Sequence, residues 1–135
     1  MGSNTTGARM LERIWFFVEQ TGGRMRTDEI HQHYINTYDD LPRMADMTQR
    51  LLKSGLFKRV GWENRKTGEF TETSLGIKDL ARIGLVNSNL VCVVESKPID
   101  EIIDSYMNNK STLRKLSRQP SFVKAAVKEA KAVNQ

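Results

Sequence analysis

One cysteine in 135 residues excludes an internal disulfide framework. That residue, Cys92, lies in the apolar run Leu90-Val91-Cys92-Val93-Val94, so a buried structural thiol is expected rather than a reactive one. No apolar run approaches the roughly 20 residues needed to cross a bilayer, and no secretory hydrophobic region follows the N-terminus. The expectation is a soluble, intracellular protein, cytoplasmic or nucleoid-associated, without a membrane partner. Asn4-Thr5-Thr6 and Asn109-Lys110-Ser111 match the glycosylation sequon but carry no weight without a secretion signal. Histidine is scarce too. His31 and His33 do not share a helix face, and no further Cys or His cluster completes a metal site. There is no P-loop, no dinucleotide fingerprint and no persuasive Ser/His/acid or Cys/His spacing. The pairs Asp39-Asp40 and Asp100-Glu101 suit a turn and a helix start. No enzyme, cofactor or metal is therefore expected.

What the chain has is positive charge, and its placement is uneven. Lysine and arginine number 21 against 16 acids, a formal net charge of +5. Between Leu41 and Lys66 the basic residues are Arg43, Arg50, Lys53, Lys58, Arg59, Arg65 and Lys66, opposed only by Asp46 and Glu63. From Lys110 onward they are Lys110, Arg114, Lys115, Arg118, Lys124, Lys128 and Lys131, opposed by Glu129. Clustering of this kind favours a polyanionic partner.

The first basic cluster falls on a recognisable unit. Met44, Met47, Thr48, Leu51 and Leu52 share one face of a helix over 42–54, while Arg43, Asp46, Gln49, Arg50 and Lys53 point the other way. Pro42 suits the first turn, and Gly55 suits a left-handed stop. Leu56 to Trp62 reads as a strand, Glu63 to Gly68 as a polar turn, and Glu69 to Thr73 as a returning strand with Phe70 inward. A cationic helix beside a hairpin tipped with Arg65 and Lys66 can address a DNA groove and the neighbouring backbone.

The junction Leu51-Leu52-Lys53-Ser54-Gly55-Leu56-Phe57-Lys58-Arg59 resembles the one that follows the recognition helix of winged helix-turn-helix transcriptional regulators. Thr73-Ser74-Leu75-Gly76-Ile77-Lys78-Asp79-Leu80 is similar to their "Leu-Thr-x-x-Gly-x-x-Leu" segment after the wing, with Thr73-Ser74 in place of Leu-Thr. The likeness covers roughly residues 9–84 and is one of fold. It implies a mainly α protein with a small β-hairpin wing (α+β), a winged helix-turn-helix followed by C-terminal helices. Winged helices also serve as protein-binding modules.

The remaining chain fits that frame. Residues 1–8 read as a disordered or vector-derived leader, 9–86 as the winged domain and 87–135 as a strand plus helical extension. Thr5 or Thr6 can cap a first helix ended by Gly22-Gly23, with Met10, Leu11, Ile14, Trp15, Phe17 and Val18 inward and Phe16 outward. Arg24-Met25-Arg26 is extended and, in winged helices, often pairs with the wing strands. Thr27 caps a second helix with Ile30 and Tyr34 inward. Ser74 to Gly84 suits a helix with Ile77, Leu80 and Ala81 on one face, and Leu90 to Glu95 a strand without an assigned role. Pro98 opens a helix with Ile99, Ile102, Ile103 and Tyr106 in register. Ser111 to Arg118 suits a short basic helix. A last helix carries Phe122, Val123, Ala126, Ala130 and Val133 on one face and lysines on the other.

Two functions follow. In the first, the protein binds duplex DNA as a transcriptional regulator or nucleoid-type protein through helix 42–54 and wing 62–70. Arg43, Gln49, Arg50, Lys53, Lys58, Arg59, Arg65 and Lys66 would be in contact, and the C-terminal stripes would form a homodimer. The alternative is a winged-helix interaction adaptor, viral or replication-associated, without DNA affinity. Phe16, Ile99, Ile102, Ile103, Tyr106 and Phe122 would then meet a protein partner.

Overall fold

The computed structural model describes residues 6–108 and 114–133. Helix α1 (Thr6–Gln20) forms where apolar residues recur at helical spacing, and Met10, Leu11, Ile14, Trp15 and Val18 are buried along that stripe. Thr6, Gly7 and Ala8 already belong to it, inside the stretch expected to be disordered. Gly22 and Gly23, with φ of 105° and 86°, turn the chain out of the helix as expected. Strand β1 (Arg24–Arg26) runs directly into α2 (Thr27–Thr37), which buries Thr27, Ile30 and Tyr34. Thr27 is the first helical residue and not the cap. Arg26 holds the cap position, and Asp28 Oδ1 accepts the Glu29 N–H.

Helix α3 (Met44–Lys53) is shorter than the expected 42–54. Pro42 lies outside it because its carbonyl accepts from His31 Nε2 on α2 at 2.7 Å, and Arg43 stays extended as the N-cap residue. Met47 and Leu51 are buried, Thr48 and Leu52 half-buried, and Met44 is exposed at the first turn. Gly55 adopts φ 81° just past the end, which a side chain would disfavour.

Strands β2 (Phe57–Asn64), β3 (Phe70–Glu72) and β4 (Leu90–Ser96) join β1 in an antiparallel sheet of order β1-β4-β2-β3. β2 and β3 pair as a hairpin, with Trp62 opposite Thr71. The strand without an assigned role proves central: β4 sets Val94 opposite Met25 of β1 and Cys92 opposite Trp62 of β2. Arg24-Met25-Arg26 therefore pairs with β4 and not with the hairpin strands. Val91, Cys92, Val93 and Val94 are all buried, the pattern of a strand covered on both faces, while charged β1 and exposed β3 take the edges. β2 bulges between Arg59 and Gly61. A β-carbon on Gly61 would overlap the Thr71 carbonyl oxygen and the Phe70 ring. Phe70 accordingly lies across Gly61, partly exposed and not inward.

Helix α4 (Ile77–Arg82) is shorter than the expected 74–84 and buries Leu80 alone, leaving Ile77 and Ala81 exposed. Helices α5 (Ile99–Met107) and α6 (Ser121–Val133) flank the 3-10 turn Leu116–Arg118. Ile102, Val123 and Val127 are fully buried in the core, and Ile99, Ile103, Tyr106 and Phe122 pack against it. Val133 is exposed. The Phe122 ring stands 4.8 Å from Trp15 and 5.0 Å from Phe16, which is itself partly exposed. The C-terminal stripes thus cover this chain's own core, and the ground for expecting a dimer through them is gone. A division at residue 86 would run through one hydrophobic cluster, since it joins Leu11, Met47 and Leu80 to Cys92, Ile102 and Val127. The expected cap at Thr5, the sequon at Asn109, Lys110 of the basic tail and the start of the expected helix 111–118 lie outside the described residues.

Among the described residues the fold is mixed α+β: six α-helices against a four-stranded antiparallel sheet, more strand than one hairpin provides. No described helix is long and apolar enough to cross a membrane.

Candidate nucleic-acid interface

Helix α3 divides the expected contact residues between its two flanks. One flank borders a groove of about 470 Å3 against the sheet. Met44, Thr48 and Leu52 line it from the helix, and Trp62, Leu90 and Cys92 from the strands. Three expected residues converge there: Gln49, Arg59 and Arg65. Arg59 leans over the Trp62 ring at 5.5 Å and reaches the Ser74 carbonyl at 3.5 Å. Its Nε is buried and has no hydrogen-bond partner among the described residues. Burial pushes the neighbouring Cys92 thiol up, and Arg59 acts against that shift. Trp62 Nε1 donates to the Leu75 carbonyl at 2.8 Å, which ties the groove wall to the segment before α4.

Turn chemistry places the hairpin tip. Asn64 Oδ1 accepts the backbone N–H groups of Lys66 at 2.9 Å and Thr67 at 3.1 Å, and Gly68 closes the turn at φ 78°. Arg65 and Lys66 are left exposed. Lys53 is exposed in the last turn of α3. Arg43 pairs with Asp46 at 3.1 Å, with the side chains 86% and 56% exposed. So wet a pair is worth at most about 1 kcal/mol and is easily exchanged for a phosphate.

Two expected residues fall elsewhere. Lys58 precedes Arg59 in a strand, where neighbours face opposite sides, so the two cannot serve one surface. Lys58 is exposed opposite Glu95, while Arg59 enters the groove. Arg50 turns to the other flank of α3, towards Gly7 and Arg114. On the edge of the sheet, Arg26 bonds Asp28 and Glu63 at 2.9 Å each, and Arg24 meets Glu95 at 3.3 Å. These bonds, Asp28 first, raise the Arg26 pKa above the ordinary arginine value and occupy the group.

The expected partner-facing residues Ile99, Ile102, Ile103, Tyr106 and Phe122 are core or core-flanking positions. Exposed aliphatic surface lies instead between β3 and β4, where Leu75, Ile77, Ile83, Leu85 and Val86 are between 37% and 58% exposed. The run Ile83-Gly84-Leu85-Val86 after a six-residue helix was the available signal for it. Neither histidine is free: His31 bonds Pro42, and His33 stacks on Phe17 at 3.6 Å. Among the described residues no group of His, Cys, Asp or Glu is placed to hold a metal.

Comparison of the chain with protein-family models, with curated proteins and with solved structures finds no match.

Proposed function

We propose that the chain is a winged-helix protein that binds duplex DNA, a transcriptional regulator or nucleoid-type protein, with α3 as its recognition helix and residues 65–68 as its wing tip. The carrying observation is the solvent side of α3. Only Met47 and Leu51 are fully buried, and Arg43, Gln49 and Lys53 remain exposed, as do Arg65 and Lys66 at the hairpin tip. The order α1, β1, α2, α3, β2, with β4 returning between β1 and β2, supports the reading. On this view β3, α4 and the loop after it enlarge the wing. Gln49 suits a base edge, and a good bidentate contact discriminates by roughly 1–3 kcal/mol. Lys53, Arg65 and Lys66 suit phosphates. Arg43 screens Asp46, which would otherwise repel the backbone.

The test is fluorescence anisotropy with a mixed-sequence duplex over a salt series. Four or five phosphate contacts give a log-log slope of about −4. Lys53→Glu with Arg65→Glu lowers affinity by at least about tenfold and flattens that slope. A folded protein, by circular dichroism, that fails to bind at low salt would sink the proposal.

A second reading rests on the aliphatic surface between β3 and β4: a winged-helix adaptor that docks a protein there. It expects Ile83→Ser with Leu85→Ser to abolish partner capture and to leave DNA affinity untouched.

A further inference from the structure

The flank of α3 turned away from the groove borders a cavity of about 620 Å3 beneath the start of α1. Its apolar floor is made by Met10, Leu41, Pro42 and Met47. Two carboxylates and two guanidiniums stand in its wall, and they differ in what they already hold. Asp40 accepts from Tyr34 Oη at 2.9 Å and faces Arg13 at 3.5 Å, and Asp46 is held by Arg43 at 3.1 Å. Arg50 and Arg114 have no carboxylate partner among the described residues. Both stand over Gly7. A β-carbon there would lie 2.5 Å from Arg50 Nη1 and 3.6 Å from Arg114 Nη2.

Two guanidiniums over one glycine repel each other unless an anion joins them. Burial, then the charges of Arg50 and Arg118, lower the Arg114 pKa from the usual arginine value. The arrangement is nonetheless held in place. Tyr106 Oη donates to the Arg114 carbonyl. Gln119, 1% exposed, donates one N–H to Tyr106 Oη at 2.6 Å and the other to the Ser54 carbonyl, at the end of α3, at 2.7 Å. The backbone of Arg114 is thereby tied to the helix that carries Arg50.

We propose that this cavity binds a small organic phosphate monoester, its dianionic head between Arg50 and Arg114 and its apolar body on the floor of Met10, Leu41, Pro42 and Met47. Two positive charges match a doubly charged head, and guanidinium forks match phosphate oxygens. The volume falls within the roughly 300–1,000 Å3 of small-molecule sites. A duplex backbone would satisfy the guanidiniums but leave the apolar floor uncovered. The site does not depend on the DNA-binding reading.

Calorimetric titration of the full chain with phenyl phosphate tests it. The expected result is saturable one-to-one binding, at least about tenfold tighter than inorganic phosphate because the ring leaves water. Arg114→Ala weakens it by at least about tenfold. Gly7→Ala also weakens it while the unfolding midpoint stays in place, because the new methyl meets only the far end of the flexible Arg50 side chain. Failure to saturate by about 10 mM, or equal binding by the Arg114→Ala protein, overturns the proposal. So does a loss on Arg114→Ala seen with duplex DNA alone, which would make the pair a backbone contact.

Discussion

The β3–β4 connection and the C-terminal helices carry similar amounts of aliphatic side chain and treat it oppositely. Between residues 73 and 89, α4 anchors through Leu80, while Ile77, Ile83, Leu85 and Val86 stay in solvent. Between residues 98 and 133, α5 and α6 bury Ile102, Val123 and Val127 and lay Phe122 against Trp15. Amphipathic spacing marks a face that wants cover. It does not say whether the cover is the same chain. Here the segment that looks like an appendage is core, and a segment within the expected domain carries the uncovered surface.

That contrast can be broken from the core side first. Ile102→Ala should cost about 2–5 kcal/mol, read as a fall in the urea midpoint, because a fully buried side chain leaves a cavity. A cost near zero would mean that α5 is not docked as described. The next effect is smaller and depends on pH. Burial raises the Tyr106 pKa, with the Gln119 hydrogen bond opposing it, and burial raises Tyr34 and Cys92 as well. The folded form then keeps these protons longer than the unfolded chain. Stability is complete below the ordinary thiol pKa of about 8.5 and declines as pH rises through it and through the tyrosine value of about 10. Melting temperature should fall between pH 8 and pH 11 (about 10 being the pivot), and Tyr106→Phe should remove part of that slope. The smallest effect belongs to the connection: Ile83→Ser with Leu85→Ser should shift stability by about 0.5 kcal/mol or less in the same urea assay. A loss comparable to Ile102→Ala would erase the contrast.

Legibility followed locality. The stops at Gly22-Gly23 and Gly55, the stripes of α1 and α3 and the β2–β3 hairpin were readable because each rests on neighbours in sequence. The run Leu90 to Val94 announced a buried strand, but its seat between β1 and β2 depends on partners distant in the chain, from Asn64 opposite Leu90 to Met25 opposite Val94. Within the site, Asn64 and Gly68 were enough to expose Arg65 and Lys66. Alternation along β2 could have separated Lys58 from Arg59. Nothing local connects Arg50 with Arg114, because their meeting depends on how Gln119 and Tyr106 join the tail to the end of α3.

The central position of β4 also sets the order in which the molecule can be completed. As the chain leaves the ribosome, β1, β2 and β3 emerge before the strand that joins β1 to the other two. Until about residue 96 has appeared, β1 lacks β4, its sheet neighbour among the described residues, and one side of β2 is an open edge. The sheet closes through contacts distant in sequence, which slows folding and leaves a nascent intermediate with unpaired backbone. A chaperone or a neighbouring nascent chain would meet that edge before β4 does.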